Sequence, residues 1–353
     1  MSRPQEPGRP FFPFVNPFKI LTPKGSILSP GLLALLNNFE LTLTDRLKKL
    51  IPEDNNDVLS LSWMKLAMEL LCQTHIDIKC LITELELPVS KWDEKWIDVY
   101  LDISVKLLDL CIAFSSELTR LSQSHLLLQC FLRNLESNSP ELYVRTRSSL
   151  ESWRQHASLK NPRVENCRSI LDDLVKSLDL PKVKNSAKGK VLMRAMYAVK
   201  VTTIYVCSVF AAAFSGSAKN LLDLDVPNTL VWAGAFSDVQ TTINEEIRNI
   251  FSQERVSVVK ELDVVDANVK KLYPMIQDVT VTIEKEAISN SVSDLRRAAE
   301  KLSEGLDHLA KEVDGFFKII LGGRDALLCN LRSDDAVTES KMGNVEEQSP
   351  RRL

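Results

Sequence analysis

Hydrophobic positions along this chain fall into helical registers. The clearest run is Trp92 to Leu135, which holds neither proline nor glycine. Tyr100, Ile103, Leu107, Leu110 and Phe114 follow a three-four spacing, and Leu118, Leu121, His125, Leu128, Leu132 and Leu135 continue it. Only the step from Phe114 to Leu118 breaks the alternation. Such spacing lays one apolar stripe along one face of a helix, here about 60 Å long. A second register runs Val292, Leu295, Ala299, Leu302, Leu306, Leu309, Val313, Phe316, Ile320, alternating threes and fours. That is the geometry of helix bundles and coiled coils. Both stripes need other helices to cover them.

Prolines punctuate the remainder. Residues 1–30 hold seven of the 15 prolines, together with Phe11, Phe12, Phe14 and Phe18, and read as a Pro-rich disordered arm. Pro52, Pro88, Pro140, Pro162, Pro181, Pro227 and Pro274 then divide the chain into helix-sized pieces. The pattern predicts helices over Gly31–Ile51 and Ser60–Leu87, the latter burying Trp63, Leu66, Leu70, Ile78 and Leu81. The long helix follows, with Ser90 as its N-cap. Two shorter helices reach about Leu159 and run Arg163–Leu178. A basic loop, Pro181–Lys190, leads to a hydrophobic helix over Val191–Ser217. One helix kinked near Gln253 is expected over Asn228–Tyr273, and a last one over Glu284–Leu331. Residues 332–353 read as a loose tail. The fold class is therefore all-α: one elongated multi-helix bundle, residues 31–331, with long coiled-coil-like helices. Glycine supports this, since none lies between Gly31 and Gly189, where a sheet fold would need turns.

Charge sharpens one region. The formal net charge is −3, yet 180–222 holds no acid and seven bases. Lys182, Lys184, Lys188, Lys190, Arg194 and Lys200 are candidate contacts for an anionic membrane surface or an acidic protein partner. Nucleic acid is disfavoured, because no aromatic residue interleaves these lysines before Tyr197. Val201–Ala218 follows with 18 uncharged residues, the lower limit for crossing a bilayer. Its Thr and Ser content favours a fully buried bundle helix. Ser208, Ala212 and Gly216 form a small-residue ridge suited to close helix packing. Seven cysteines, an odd number over a long chain, suit a reducing compartment.

Chemistry is sparse. Cys72, His75 and Cys80 resemble a metal spacing, but a continuous helix brings only Cys72 and His75 to one face, and a closed site needs a fourth ligand. His125 reads as a hydrogen-bonded core residue. Gly322-Gly323-Arg324 reads as a local bend that lets backbones pack closely. No nucleotide-binding or nucleophile-elbow motif occurs. Catalytic residues, cofactor and metal are not expected.

Four stretches resemble the plant BYPASS family: RPQEPGRPFFPFVNPFK, LPVSKWDEKWIDVYLDISVKLLDLCIAFSSELTRL, PKVKNSAKGKVLMRAMYAVK with VFAAAFSGS, and KEVDGFFKIILGGRDALLCNLR. The resemblance extends to about Leu331 and is weakest over Pro274–Asp294. It implies a non-enzymatic regulator of root and shoot development that restrains production of a root-derived mobile signal, thought to be carotenoid-related, that arrests shoot growth. A relative in the wider group is linked to the exocyst, so a membrane-trafficking adaptor is the alternative, as is a single-pass membrane protein. A cytoplasmic, membrane-associated location is expected, with the chloroplast as the other reading.

Overall fold

The structure is a computed structural model that describes residues 28–86, 94–135, 140–178, 186–252, 259–277 and 285–343. Among these residues the chain forms nine α-helices and no strand: α1 (Pro30–Lys49), α2 (Leu61–Glu84), α3 (Glu94–Leu135), α4 (Pro140–Ser158), α5 (Pro162–Lys176), α6 (Ala187–Ser215), α7 (Ala233–Ser252), α8 (Lys260–Gln277) and α9 (Lys285–Gly343). The all-α bundle inferred from the pattern is the observed class. The Pro-rich arm and the proposed Ser90 cap lie outside the described residues, apart from residues 28–30, which lead into α1.

Local chemistry explains the boundaries. Pro30 opens α1 behind Ser29, whose side chain accepts from Leu32 N. Ser60 caps α2 by accepting from Trp63 N at 3.1 Å. Glu261 reaches across from α8 to accept from Leu61 N with both carboxylate oxygens. Pro162 opens α5 behind Asn161, which accepts from Arg163 N. Each cap satisfies a donor that the first helical turn leaves free.

α6 is the axis. Every residue from Tyr197 to Ala213 is buried, and α1, α2, α3 and α5 pack directly on it. Tyr197 and Tyr205 also meet Trp232 and Phe236 of the α7 region through ring contacts. On the other side α9 lies along both α2 and α3, α4 lies on α3, and α8 lies on α9. The α9 register is buried as its spacing predicts, from Leu295 through Ile320. In α3 the stripe from Leu107 to Leu132 is buried as well.

Several expectations need correction. α2 buries Met64, Ala67, Met68 and Leu71 along with Trp63 and Leu70, whereas Leu66 is exposed. That helix is apolar on more than one side: Trp63, Leu70 and Leu81 are buried as expected and Ile78 partly so, and only Leu66 falls on the open edge. The expected basic loop is partly helical, because Ser186 caps α6 at Gly189 N. Gly216 does not extend a packing ridge. It ends α6 in the left-handed region, φ +63°, with its N–H on Ala212 O. Of Asn228–Tyr273 the structure describes two helical parts, α7 to Ser252 and α8 from Lys260, and the expected kink near Gln253 lies outside the described residues. Pro274 sits inside α8, near its end, where one lost hydrogen bond is tolerated. α9 continues past Leu331 to Gly343, the last described residue, since a formed helix propagates through polar residues. The helix runs unbroken through Gly322 and Gly323. Close packing is real, however: a Cβ at Gly323 would lie 2.5 Å from the Tyr100 hydroxyl.

Candidate functional site

The basic residues around the start of α6 separate into two groups. Lys182 and Lys184 lie outside the described residues. Lys188 is half-buried, and its Nζ lies 3.7 Å from Glu86, itself largely in solvent. Such a pair contributes little and exchanges readily with other anions. Lys190 is half-buried one turn before Arg194. Arg194 turns inward. Its Nε and Nη2 donate to Glu40 Oε1 and Oε2 at 2.6 and 2.8 Å, and the Glu40 side chain is fully buried. Lys200 is buried too, and its Nζ donates to Ser177 O at the end of α5. A cation there satisfies a free carbonyl and opposes the negative end of the helix dipole. Arg194 and Lys200 therefore hold the bundle together and are not presented to a surface partner. The physical reason is depth: α6 enters the core within two turns, and long basic stems there must find acids or carbonyls. Glu40 was legible in principle. Leu36, Phe39, Leu43 and Leu47 place it on the buried face of α1.

Other ionisable groups in the interior are held unreactive. His75 Nε2 lies 2.9 Å from Thr203 Oγ1, and Phe316 packs edge-on to the ring. Burial pushes its pKa down to about 4. Cys72 directs its thiol to Glu312 O at 3.8 Å, while Cys80 is exposed. The three residues do not converge, and no metal-holding cluster occurs among the described residues. Burial raises the thiols of Cys72, Cys111 and Cys167 to about 12, and that of Cys207 well above the ordinary range. His125 is buried, with Nε2 2.8 Å from Gln129 Nε2.

A polar node missed by the sequence pattern lies at the elbow between α4 and α5. Glu117 of α3 is buried. Arg120 donates to both its oxygens at 3.0 and 2.6 Å, and Asn161 Nδ2 donates to it at 3.1 Å. Arg120 Nη1 also donates to His156 O at 2.6 Å, fastening the last turn of α4. Beside this node an open groove of about 720 Å³ runs between α3, the elbow and α9. Ile112, Leu159 and Phe317 give it apolar walls, and Ser115, Thr119 and Arg163 give it polar ones. Glu117 and Arg120 sit three apart in a helix otherwise read only for its stripe. That spacing signals a local pair, but not the elbow it grips.

The sequence profile described as Protein ROH1-like matches residues 31–149 and 162–330. The chain belongs to the ROH1-like family. It is BYPASS-related: the Arabidopsis thaliana protein named "Protein BPS1, chloroplastic" is 60% identical to it over 96% of this chain and 95% of that protein. The proteins named "UPF0496 protein 4" from Oryza sativa subspecies indica and japonica are each 36% identical, over 96% of this chain and 99% of theirs. No solved structure matches. In this ROH1-like chain the two matched parts flank residues 150–161. That interval carries the end of α4 and the elbow, including Trp153, Ala157, Leu159, Lys160 and Asn161.

Proposed function

We propose that this chain is a non-enzymatic regulator of plant root and shoot development, which restrains production of a root-derived mobile signal that arrests shoot growth. The observation that carries the reading is the extent of the likeness to BPS1, 60% identity across nearly the whole of both chains. The buried thiols stay protonated, and His75 stays neutral against Thr203. The test is genetic. Roots lacking this chain, grafted beneath wild-type shoots, arrest those shoots; normal shoot growth on such roots refutes the reading.

The proposed mode of action is interaction. Lys182, Lys184, Lys188 and Lys190 meet an anionic membrane surface, and the bundle presents its face to a protein partner. The partly exposed, loosely paired Lys188 supports this, whereas Arg194 and Lys200 take no part in it. Replacing the four lysines by glutamate lowers recovery on phosphatidylserine vesicles and leaves the thermal midpoint unchanged. Equal recovery of the variant removes the membrane role. α6 alone among the described helices is long and apolar enough to cross a bilayer, but its burial on every side supports a core role and hence salt-releasable attachment. Retention through a carbonate wash overturns that. A plastid location is the second reading, favoured by the word chloroplastic in the name of the Arabidopsis relative. Protease protection of the tagged chain inside isolated chloroplasts decides between plastid and cytoplasm.

A further inference from the structure

The groove beside the elbow is part of a longer open strip on α3. Val105, Ile112, Thr119 and Leu126 follow at seven-residue spacing, and all four are exposed. α5 and α9 both pack on α3 and leave this strip uncovered. Leu159 on the elbow rim is exposed as well, and so is Leu321, one turn beyond Phe317 on α9. Apolar side chains gathered in one exposed place mark an interaction site.

The chain carries a segment of matching chemistry. Residues 1–27 precede the described bundle. Pro4, Pro7, Pro10 and Pro13 recur at every third position, which suits a polyproline II helix of three residues per turn. In that register Phe11, Phe14, Pro17 and Ile20 share one edge, and Phe12, Val15, Phe18 and Leu21 share another. Such a helix leaves its carbonyls free and docks in grooves that combine aromatic and polar side chains. Phe317, Pro162, Ser115 and Gln123 line this groove. Charge agrees. The arm holds Arg3, Arg9, Lys19 and Lys24 against Glu6 alone. α3 exposes Asp98, Asp102 and Asp109 on the same face as Val105, and Asp314 stands on the α9 rim. The pairs that Asp102 and Asp314 make with Lys106 and Lys318 are exposed and contribute little. Lys160 and Arg163 stand at the far rim, within reach of Glu6.

Length agrees too. Glu40 meets Arg194, and Arg46, further along α1, meets Asp77, two residues past His75, which reaches Thr203 further along α6. α1 therefore runs the same way as α6. Lys200 meets the end of α5, whose Asp173 feels the charge of Lys106 near the start of α3. α1 and α3 thus begin at one end of the bundle, each packed on α6, and about 20 Å apart. Val105 and Thr119 lie about 16 and 37 Å along α3. At about 3.1 Å per residue, Phe18 stands about 31 Å from Leu28 and Phe11 about 53 Å. The Phe cluster is therefore placed to fall on the strip.

We propose that residues 1–27 dock in this groove in extended form, with Phe11–Phe18 lying over Val105–Thr119, so that the chain covers its own α3. Tethering gives the arm a high effective concentration there, which favours it over a second molecule. A protein that uses this face must first displace the arm. Docking of the arm stands apart from the developmental and membrane roles, because it is read on the purified chain.

The test uses the full chain. Phe14 is replaced by the photo-cross-linker p-benzoylphenylalanine, and isotope-labelled and unlabelled chains are mixed before irradiation. Mass spectrometry finds cross-links from that position to residues 105–123 of α3 or to Phe317, each within one chain. Trypsin cuts after Lys19 at least about 5-fold faster in Ile112→Glu than in the parent, because cleavage tracks the population of the open form. Leu41→Glu, the same kind of change on the open face of α1, leaves that rate unchanged. Thermal midpoints hold in both variants, since both side chains are exposed. Cross-links that fall elsewhere on the bundle, or none at all, overturn the proposal. Mixed-isotope pairs overturn it as well, by placing a second copy in the groove. Equal cleavage of the parent and Ile112→Glu does the same. Should Ile112→Glu fail to fold, the cross-link map of the parent groove alone decides.

Discussion

Replacing Arg194 by methionine tests whether it is a structural cation or a surface one. The substitution keeps the aliphatic stem and removes the guanidinium, which leaves the Glu40 carboxylate with no solvent and no counter-charge. The two charge centres are about 4 Å apart, so at an effective dielectric of about 20 their attraction is about 4 kcal/mol. Breaking one half of a buried pair costs about 3–5 kcal/mol, because the remaining charge stays desolvated. Bundles of this size are stable by about 5–15 kcal/mol, so the loss is a large fraction of the whole. With a urea slope of about 3 kcal/mol/M, the unfolding midpoint falls by about 1 to 1.7 M. The assay is urea unfolding followed by circular dichroism at 222 nm. Glu40→Leu combined with Arg194→Met should recover most of the loss, since an apolar pair of similar volume is often as stable as the ion pair it replaces. If Arg194→Met unfolds within about 0.5 M of the parent, or the double variant is weaker than the single one, the pair is not structural. If anionic-vesicle binding falls instead, Arg194 belongs with the surface lysines.

Three further outcomes follow from local geometry. A Cβ at Gly305 would lie 2.6 Å from Leu61 Cδ1, and one at Gly315 would meet nothing within 4 Å. Gly305→Ala should therefore destabilise by about 1–3 kcal/mol through overpacking, while Gly315→Ala stabilises by about 0.8–1 kcal/mol through helix propensity; thermal unfolding of the two variants shows opposite signs. Cys80, Cys130 and Cys329 are exposed and Cys72, Cys111, Cys167 and Cys207 are buried, so a disulfide reagent at pH 8 should titrate three thiols promptly and four only on unfolding. His75 is held near 4, below its unfolded value of 6.5, so the unfolded chain binds the extra proton first. Stability from the neutral ring is complete above pH 6.5 and is lost as pH falls toward 4; His75→Gln should flatten that part of the stability profile, and an unchanged slope places the titration elsewhere.

Much of this architecture is local and so legible in a single sequence. The α9 register from Leu295 to Ile320 is a property of spacing on one helix, and the openings at Pro140 and Pro162 are properties of one residue. Other features depend on partners far along the chain. Arg194 looks like one more base in a run of bases, and only its meeting with Glu40, 154 residues earlier, gives it a role. Lys200 is the same case with Ser177. Composition could not decide whether α6 faces lipid or protein, because both are apolar; the answer lies in the helices that surround it. Leu66 shows the reverse failure. It fits a stripe on paper, yet α2 has two greasy edges and neighbours claim the other. The groove beside the elbow is legible nowhere, since α3, the elbow and α9 must come together to form it.

One consequence concerns the order in which the chain is made. α9 packs on α2 and α3, and its last buried position among the described residues is Leu327. The apolar faces of α2 and α3 thus leave the ribosome more than 150 residues before their cover exists. At about 5–20 residues per second that interval lasts on the order of ten seconds or more, during which those faces are available to chaperones or to one another. Premature termination between the end of α8 at Gln277 and the first buried leucine of α9, Leu295, would then be no milder than termination early in the frame. It would release a chain that has every helix of the core but the one that closes it.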